Sequence, residues 1–196
     1  MDVSLPIKSV IPSLDGPVLA ALAGTSRPYG ITAVGRLTGG AGSPAGIRKV
    51  LLRLVDAGIV LDVPGGYVLN REHIAAPSIE QLAGLQGELV GRLRAALDDW
   101  EGEVKLAGMF GSAARRDGDE HSDIDLLVVA DSRGLDDLAD DLADSVRRWT
   151  GNDAQIVTKT SPELRELVRA REPLVSELDR DLIVLVGDRR LLRAAA

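Results

Sequence analysis

The sequence predicts an α/β protein of the α+β kind, on three observations. Apolar residues recur at helical spacing in three short runs before residue 57, and a glycine-turned pair of extended runs follows them. A strand, a glycine-serine turn, a short helix, a polar loop and a second strand fill residues 104–129. Beyond that stretch, helical and extended patterns alternate as far as residue 187. The 196 residues are accordingly read as an N-terminal domain (1–76), a connecting helix (77–100) and a C-terminal domain (101–196).

Residues 1–15 hold two prolines and little periodicity, and read as an irregular arm. Gly16-Pro17 opens a helix with Val18, Leu19, Leu22 and Ala23 on its apolar face, ended by Gly24. Thr32 is the expected cap of a second helix carrying Val34 and Leu37. Ser43-Pro44 opens a third, a capping residue followed by proline at the first helical position. Ile47, Val50, Leu51, Leu54 and Val55 form its stripe, leaving Arg48, Lys49 and Arg53 in solvent. Ile59–Val63, Pro64-Gly65-Gly66 and Tyr67–Leu69 read as a hairpin.

The helix predicted over 77–100 carries Ile79, Leu82, Leu89, Leu93 and Trp100 at three-four spacing. Such a stripe is compatible with the seam of a homodimer, but reads first as the underside of a helix packed on the domain that follows. Gly84, Gly87 and Gly91 weaken it by about 1 kcal/mol each relative to alanine. Later come a helix with Leu135, Leu138, Leu142, Val146 and Trp149, a strand at 154–158, a helix from Ser161-Pro162, a helical turn at 172–179 and a last strand at 181–187. The Arg/Ala-rich tail after it is expected to be loose.

Composition narrows the function. With 45% apolar and 27% charged residues, this is the make-up of an ordinary globular protein. Without cysteine there is neither a disulfide framework nor a thiolate zinc site. No apolar run is long enough to span a bilayer, and Met1-Asp2-Val3 opens no secretory signal, so a cytoplasmic protein without membrane partners is expected. The net charge of −7 argues against a protein that coats nucleic acid. Yet residues 1–76 carry seven Lys/Arg against five Asp/Glu, and the remainder sixteen against twenty-five. Net +2 and net −9 suggest two parts with different partners.

Asp123 and Asp125 stand two apart at the start of an apolar strand, so their side chains point the same way. Two carboxylates on one face, beside a glycine-serine turn, can hold a divalent metal and a polyphosphate together. Gly111 lets backbone approach a ligand, and Ser112 offers a hydroxyl and an amide. His121, without other histidines or cysteines nearby, reads as a loop residue.

Phe110-Gly111-Ser112-Ala113-Ala114-Arg115, then Ser122-Asp123-Ile124-Asp125-Leu126-Leu127-Val128, resembles the signature of the DNA polymerase β-like nucleotidyltransferases in their minimal form. The resemblance covers residues 98–187 and implies a mixed sheet flanked by helices. It implies that Asp123 and Asp125 are catalytic and bind two Mg²⁺ ions, and that Gly111, Ser112 and Arg115 bind the NTP substrate. The expected reaction moves a nucleoside monophosphate onto a hydroxyl of a protein, an RNA or a small molecule. Minimal members include toxin-modifying antitoxins, tRNA-modifying toxins and antibiotic-modifying enzymes. Arg115 could equally pair with Asp119 or Glu120.

Two departures bear on activity. Arg116 stands where the family commonly has glycine, and Gln155 where active members place a third carboxylate. An amide is no base and a weaker metal ligand. Asp153 lies two residues earlier, about 7 Å away along the strand.

Residues 14–76 resemble a winged helix-turn-helix, carried by the three helices, the hairpin and Leu51–Val60. The resemblance implies that Arg48, Lys49 and Arg53 face DNA. It opens an alternative function, a DNA-binding regulator whose transferase-like domain senses nucleotide without turnover.

Overall fold

The computed structural model describes residues 1–193. It contains α1 (Ile7–Val10), α2 (Asp15–Ala23), α3 (Ile31–Leu37), α4 (Pro44–Asp56), β1 (Val60–Val63), β2 (Gly66–Leu69), α5 (Ala76–Ala83), α6 (Leu85–Asp98), β3 (Val104–Phe110), α7 (Gly111–Arg115), β4 (Ile124–Ala130), α8 (Leu135–Thr150), β5 (Ala154–Lys159), α9 (Ser161–Ala170), α10 (Pro173–Asp181) and β6 (Ile183–Gly187). A short 3₁₀ turn, Arg189–Leu192, follows. No helix among the described residues is long and apolar enough to cross a membrane.

The chain forms two compact units: Leu5–Gln86, and Met1–Ser4 together with the chain from Gly87 onward. The boundaries expected at 76 and 100 do not coincide with this division. In the N-terminal unit, Val18, Leu22, Val34, Ile47, Leu51 and Leu54 close a core under the antiparallel β1–β2 hairpin. Ser43 caps α4 as expected, its hydroxyl accepting from the Gly46 N–H at 3.2 Å. α3 is entered from Gly30 in extended conformation instead of from Thr32. Leu37, expected on its apolar face, is 53% exposed.

The C-terminal unit is built on a four-stranded mixed sheet in the order β5-β4-β3-β6, parallel only between β4 and β5. The crossover from β4 to β5 runs through α8, as a parallel pair requires. The period of two along β4 sorts its side chains into two layers. Leu126 and Val128 join Leu89, Leu93, Leu138, Leu142 and Val146 from α6 and α8. Leu127 and Val129 join Leu164, Leu178 and Leu182 on the side of α9 and α10. Asp123 and Asp125 share the parity of Leu127, and so belong to the α9–α10 face.

The single helix expected over 77–100 is two helices, α5 and α6, separated at Gly84. Its stripe is divided between two cores: Ile79 and Leu82 in the first unit, Leu89 and Leu93 in the second. The arm over 1–15 is more ordered than its composition suggests. Ile7 is fully buried in α1, and Val3 is buried in the core of the C-terminal unit. Of the tail, Leu192 is buried, and residues 194–196 lie outside the described residues.

Candidate active site

β3 runs directly into α7 at Gly111, whose φ of +69° is the left-handed region that glycine adopts without strain. A Cβ on Gly111 would overlap Asp125 Oδ2 and stand 3.1 Å from its Cγ. The turn therefore closes against the carboxylate of the neighbouring strand, where Asp125 is paired with Phe110. Gly111, Ser112, Asp123 and Asp125 are brought to one end of the β3–β4 pair.

Burial is the first cause of a raised Asp125 pKa, with the charges of Asp123 and Glu177 adding to it and that of Arg115 opposing it. Glu177, on α10, is a neighbour that sequence reasoning did not anticipate. The residues fit a divalent ion as a half-site: two carboxylates with mutually unfavourable charge, which Mg²⁺ characteristically binds in company with substrate phosphates. Among the described residues no group of three or more His, Asp or Glu side chains is gathered tightly enough to hold a metal alone.

Gln155 sits beside Asp125 in the parallel register of β4 and β5. Its Nε2 donates to Asp123 Oδ2 at 3.3 Å. Asp153 is turned away to an ion pair with Arg147 at the end of α8. Arg115 does not pair with Asp119 or Glu120. Its Nε donates to Asp117 Oδ2 at 2.9 Å and its Nη1 to Asp181 Oδ2 at 2.7 Å.

The loop between α7 and β4 is held by its own polar groups. Ser122 Oγ donates to Asp119 Oδ1 at 3.0 Å and accepts from the Asp119 N–H at 2.9 Å. The His121 N–H also bonds Asp119, whose pKa is lowered by that bond first and by Ser122 next. Buried Asn152 donates to the Ser122 carbonyl at 3.0 Å, and Ser4 Oγ accepts from the Gly118 N–H at 3.0 Å. Neither anchor was foreseen; the only local signal for Asn152 was its place after the helix-ending Gly151. His121 itself is exposed, beside Glu120. Arg116 takes φ +62°, ψ +37°, the conformation that glycine would take more easily at this helix end.

Of the predicted DNA-facing cations, Arg48 and Lys49 are exposed on α4, whereas Arg53 is ion-paired with Asp15. In the C-terminal unit a cleft of about 560 Å³ is lined by Asp136, Asp137, Lys159 and Glu163, at the opposite end of β4 from the two aspartates.

Residues 90–186 match the nucleotidyltransferase domain family. That segment holds Gly111, Ser112, Asp123, Asp125 and Gln155, and the match supports nucleotidyl transfer as the general chemistry of this unit. No curated protein matches the chain significantly. Among solved structures it is similar to a toxin–antitoxin with AMP-PNP (19% identity, 55% of this chain and 80% of that one, TM-score 0.41). It is also similar to a complex of a tri-AMPylated Shewanella oneidensis HEPN toxin with MNT antitoxin (18%, 57% and 80%, TM-score 0.38). Likeness at this level is weak.

Proposed function

We propose that the C-terminal unit moves a nucleoside monophosphate from a Mg²⁺-bound NTP to a hydroxyl group of a protein, RNA or small molecule. The observation that carries this reading is the closure of the Gly111 turn against Asp125, with Asp123 beside it. Asp123 and Asp125 hold the metal; Gly111 leaves backbone room for the phosphates, and Ser112 offers its hydroxyl. Mg²⁺, when bound, neutralises the triphosphate and stabilises the departing pyrophosphate. The acceptor oxygen forms the new bond to the α-phosphorus as the bond to the β-phosphate oxygen breaks. Gln155 cannot take the acceptor's proton, so that proton passes to solvent and turnover is slow.

Calorimetry with ATP, GTP, CTP and UTP in Mg²⁺ tests the binding step. At least one should release heat, and Asp125→Ala should abolish it. Silence from all four with folded protein would remove the reading.

A second reading rests on Arg48 and Lys49, exposed on α4 ahead of the β1–β2 hairpin. In it, the N-terminal unit binds DNA as a winged helix and the C-terminal unit senses nucleotide. Genomic fragments should then bind with an affinity that falls with salt, and Arg48→Ala/Lys49→Ala should flatten that dependence. Equal binding by both proteins would discard this reading.

A further inference from the structure

Arg115 ends α7, one turn beyond Gly111 and Ser112, and its guanidinium is held at two of its nitrogens. The two anchors differ in kind. Asp117 is 57% exposed and belongs to the same loop, so it is a weak partner. Asp181 lies 66 residues away at the end of α10, and its side chain is only 4% exposed. Its carboxylate also accepts from Arg180, Nε to Oδ1 and Nη2 to Oδ2, both at 2.8 Å. A nearly buried carboxylate with three charge-assisted hydrogen bonds is a fixed point. α10 packs against α7 and β3, which ties that point to the elements carrying Gly111. Arg115 Nη2 bonds no described residue, so the N–H groups of that nitrogen remain for an anion.

We propose that Asp181 is a positioning residue that presents Arg115 to the triphosphate of the nucleotide. This rests on the function proposed above. Arg180 serves the same arrangement by occupying the rest of the Asp181 carboxylate, which leaves Arg115 joined through Nη1 alone. Fixing the guanidinium in advance removes the rotamer entropy that a free arginine would lose on binding phosphate.

The test is a double-mutant cycle read as Mg²⁺–NTP affinity by calorimetry, with whichever of the four NTPs binds wild-type protein most tightly. Asp181→Asn keeps the shape and removes the charge. It should weaken binding about tenfold in the wild-type background and less than twofold in Arg115→Ala. Loss through a general disturbance of the fold would appear equally in both backgrounds. Melting temperatures establish that each variant is folded. Should Asp181→Asn fail to fold, Asp181→Glu serves in the same cycle, since moving the carboxylate by one methylene also shifts Arg115. Unchanged affinity in the single variant, or losses that multiply in the double variant, would overturn the proposal while leaving the proposed function intact. Absence of NTP binding by wild-type protein would overturn both.

Discussion

Gln155 Nε2 donates to Asp123 Oδ2 at 3.3 Å, so one oxygen of a carboxylate proposed to bind the metal is already engaged by an amide. Exchanging that donor for an acid reverses the local charge balance. Gln155→Glu should melt a few degrees below wild type without metal, because a third carboxylate adds repulsion to Asp123 and Asp125. It should also bind Mn²⁺ about tenfold more tightly, and recover its lost stability as the ion is added. Melting curves with and without Mn²⁺ check both. Equal metal affinity in the two proteins would show that position 155 lies outside the ion's reach.

Gly111→Ala meets two obstacles at once, a left-handed backbone and the carboxylate of Asp125. The variant should be less stable by about 1–3 kcal/mol in urea unfolding. It should also lose NTP binding, since Asp125 must move to make room. A variant of wild-type stability that still binds would contradict the close approach.

Arg116 holds the left-handed conformation that its side chain disfavours. Arg116→Gly should therefore gain up to about 1 kcal/mol in urea unfolding, the relief of strain exceeding the added freedom of the unfolded chain. Reduced stability would mean that the arginine side chain contributes a contact worth more than its strain.

Asp181 titrates at about 2 in the folded protein, drawn below its ordinary 3.8 by its hydrogen bonds from Arg180 first and Arg115 next. A lowered folded value means stability that is present above the unfolded value and lost as pH falls. Wild type should exceed Asp181→Asn in stability by a constant margin above about pH 5, and the margin should shrink as pH falls from there through about 2. A margin that does not change with pH would remove the ion pair as its cause.

What the sequence made legible was local. Ser43-Pro44 announces its helix because a cap satisfies an amide within three residues, and Pro64-Gly65-Gly66 announces its turn because glycine takes the positive φ found at 65 and 66. The stretch from β3 to β4 was readable because a β-branched apolar run, a glycine turn and two aspartates on one face follow one another directly. The break at Gly84 was not, because the apolar stripe on either side continues at helical spacing while serving two separate cores. Val3 entering the second core, Asn152 holding the loop, and Asp181 holding Arg115 all depend on chain segments brought together over long separations. Arg115 has acidic neighbours at 117, 119 and 120, and nothing in their spacing favours a carboxylate 66 residues away. What decides is burial: Asp181 is shielded, and an ion pair is strongest where water is excluded.

Transfer of label is the most direct measure of the central claim. Protein incubated with Mg²⁺, cell extract and NTPs labelled at the α-phosphorus should place label on an acceptor, and Asp123→Ala/Asp125→Ala should not. No labelled product from folded wild-type protein, or equal labelling by the double variant, would contradict nucleotidyl transfer at this site.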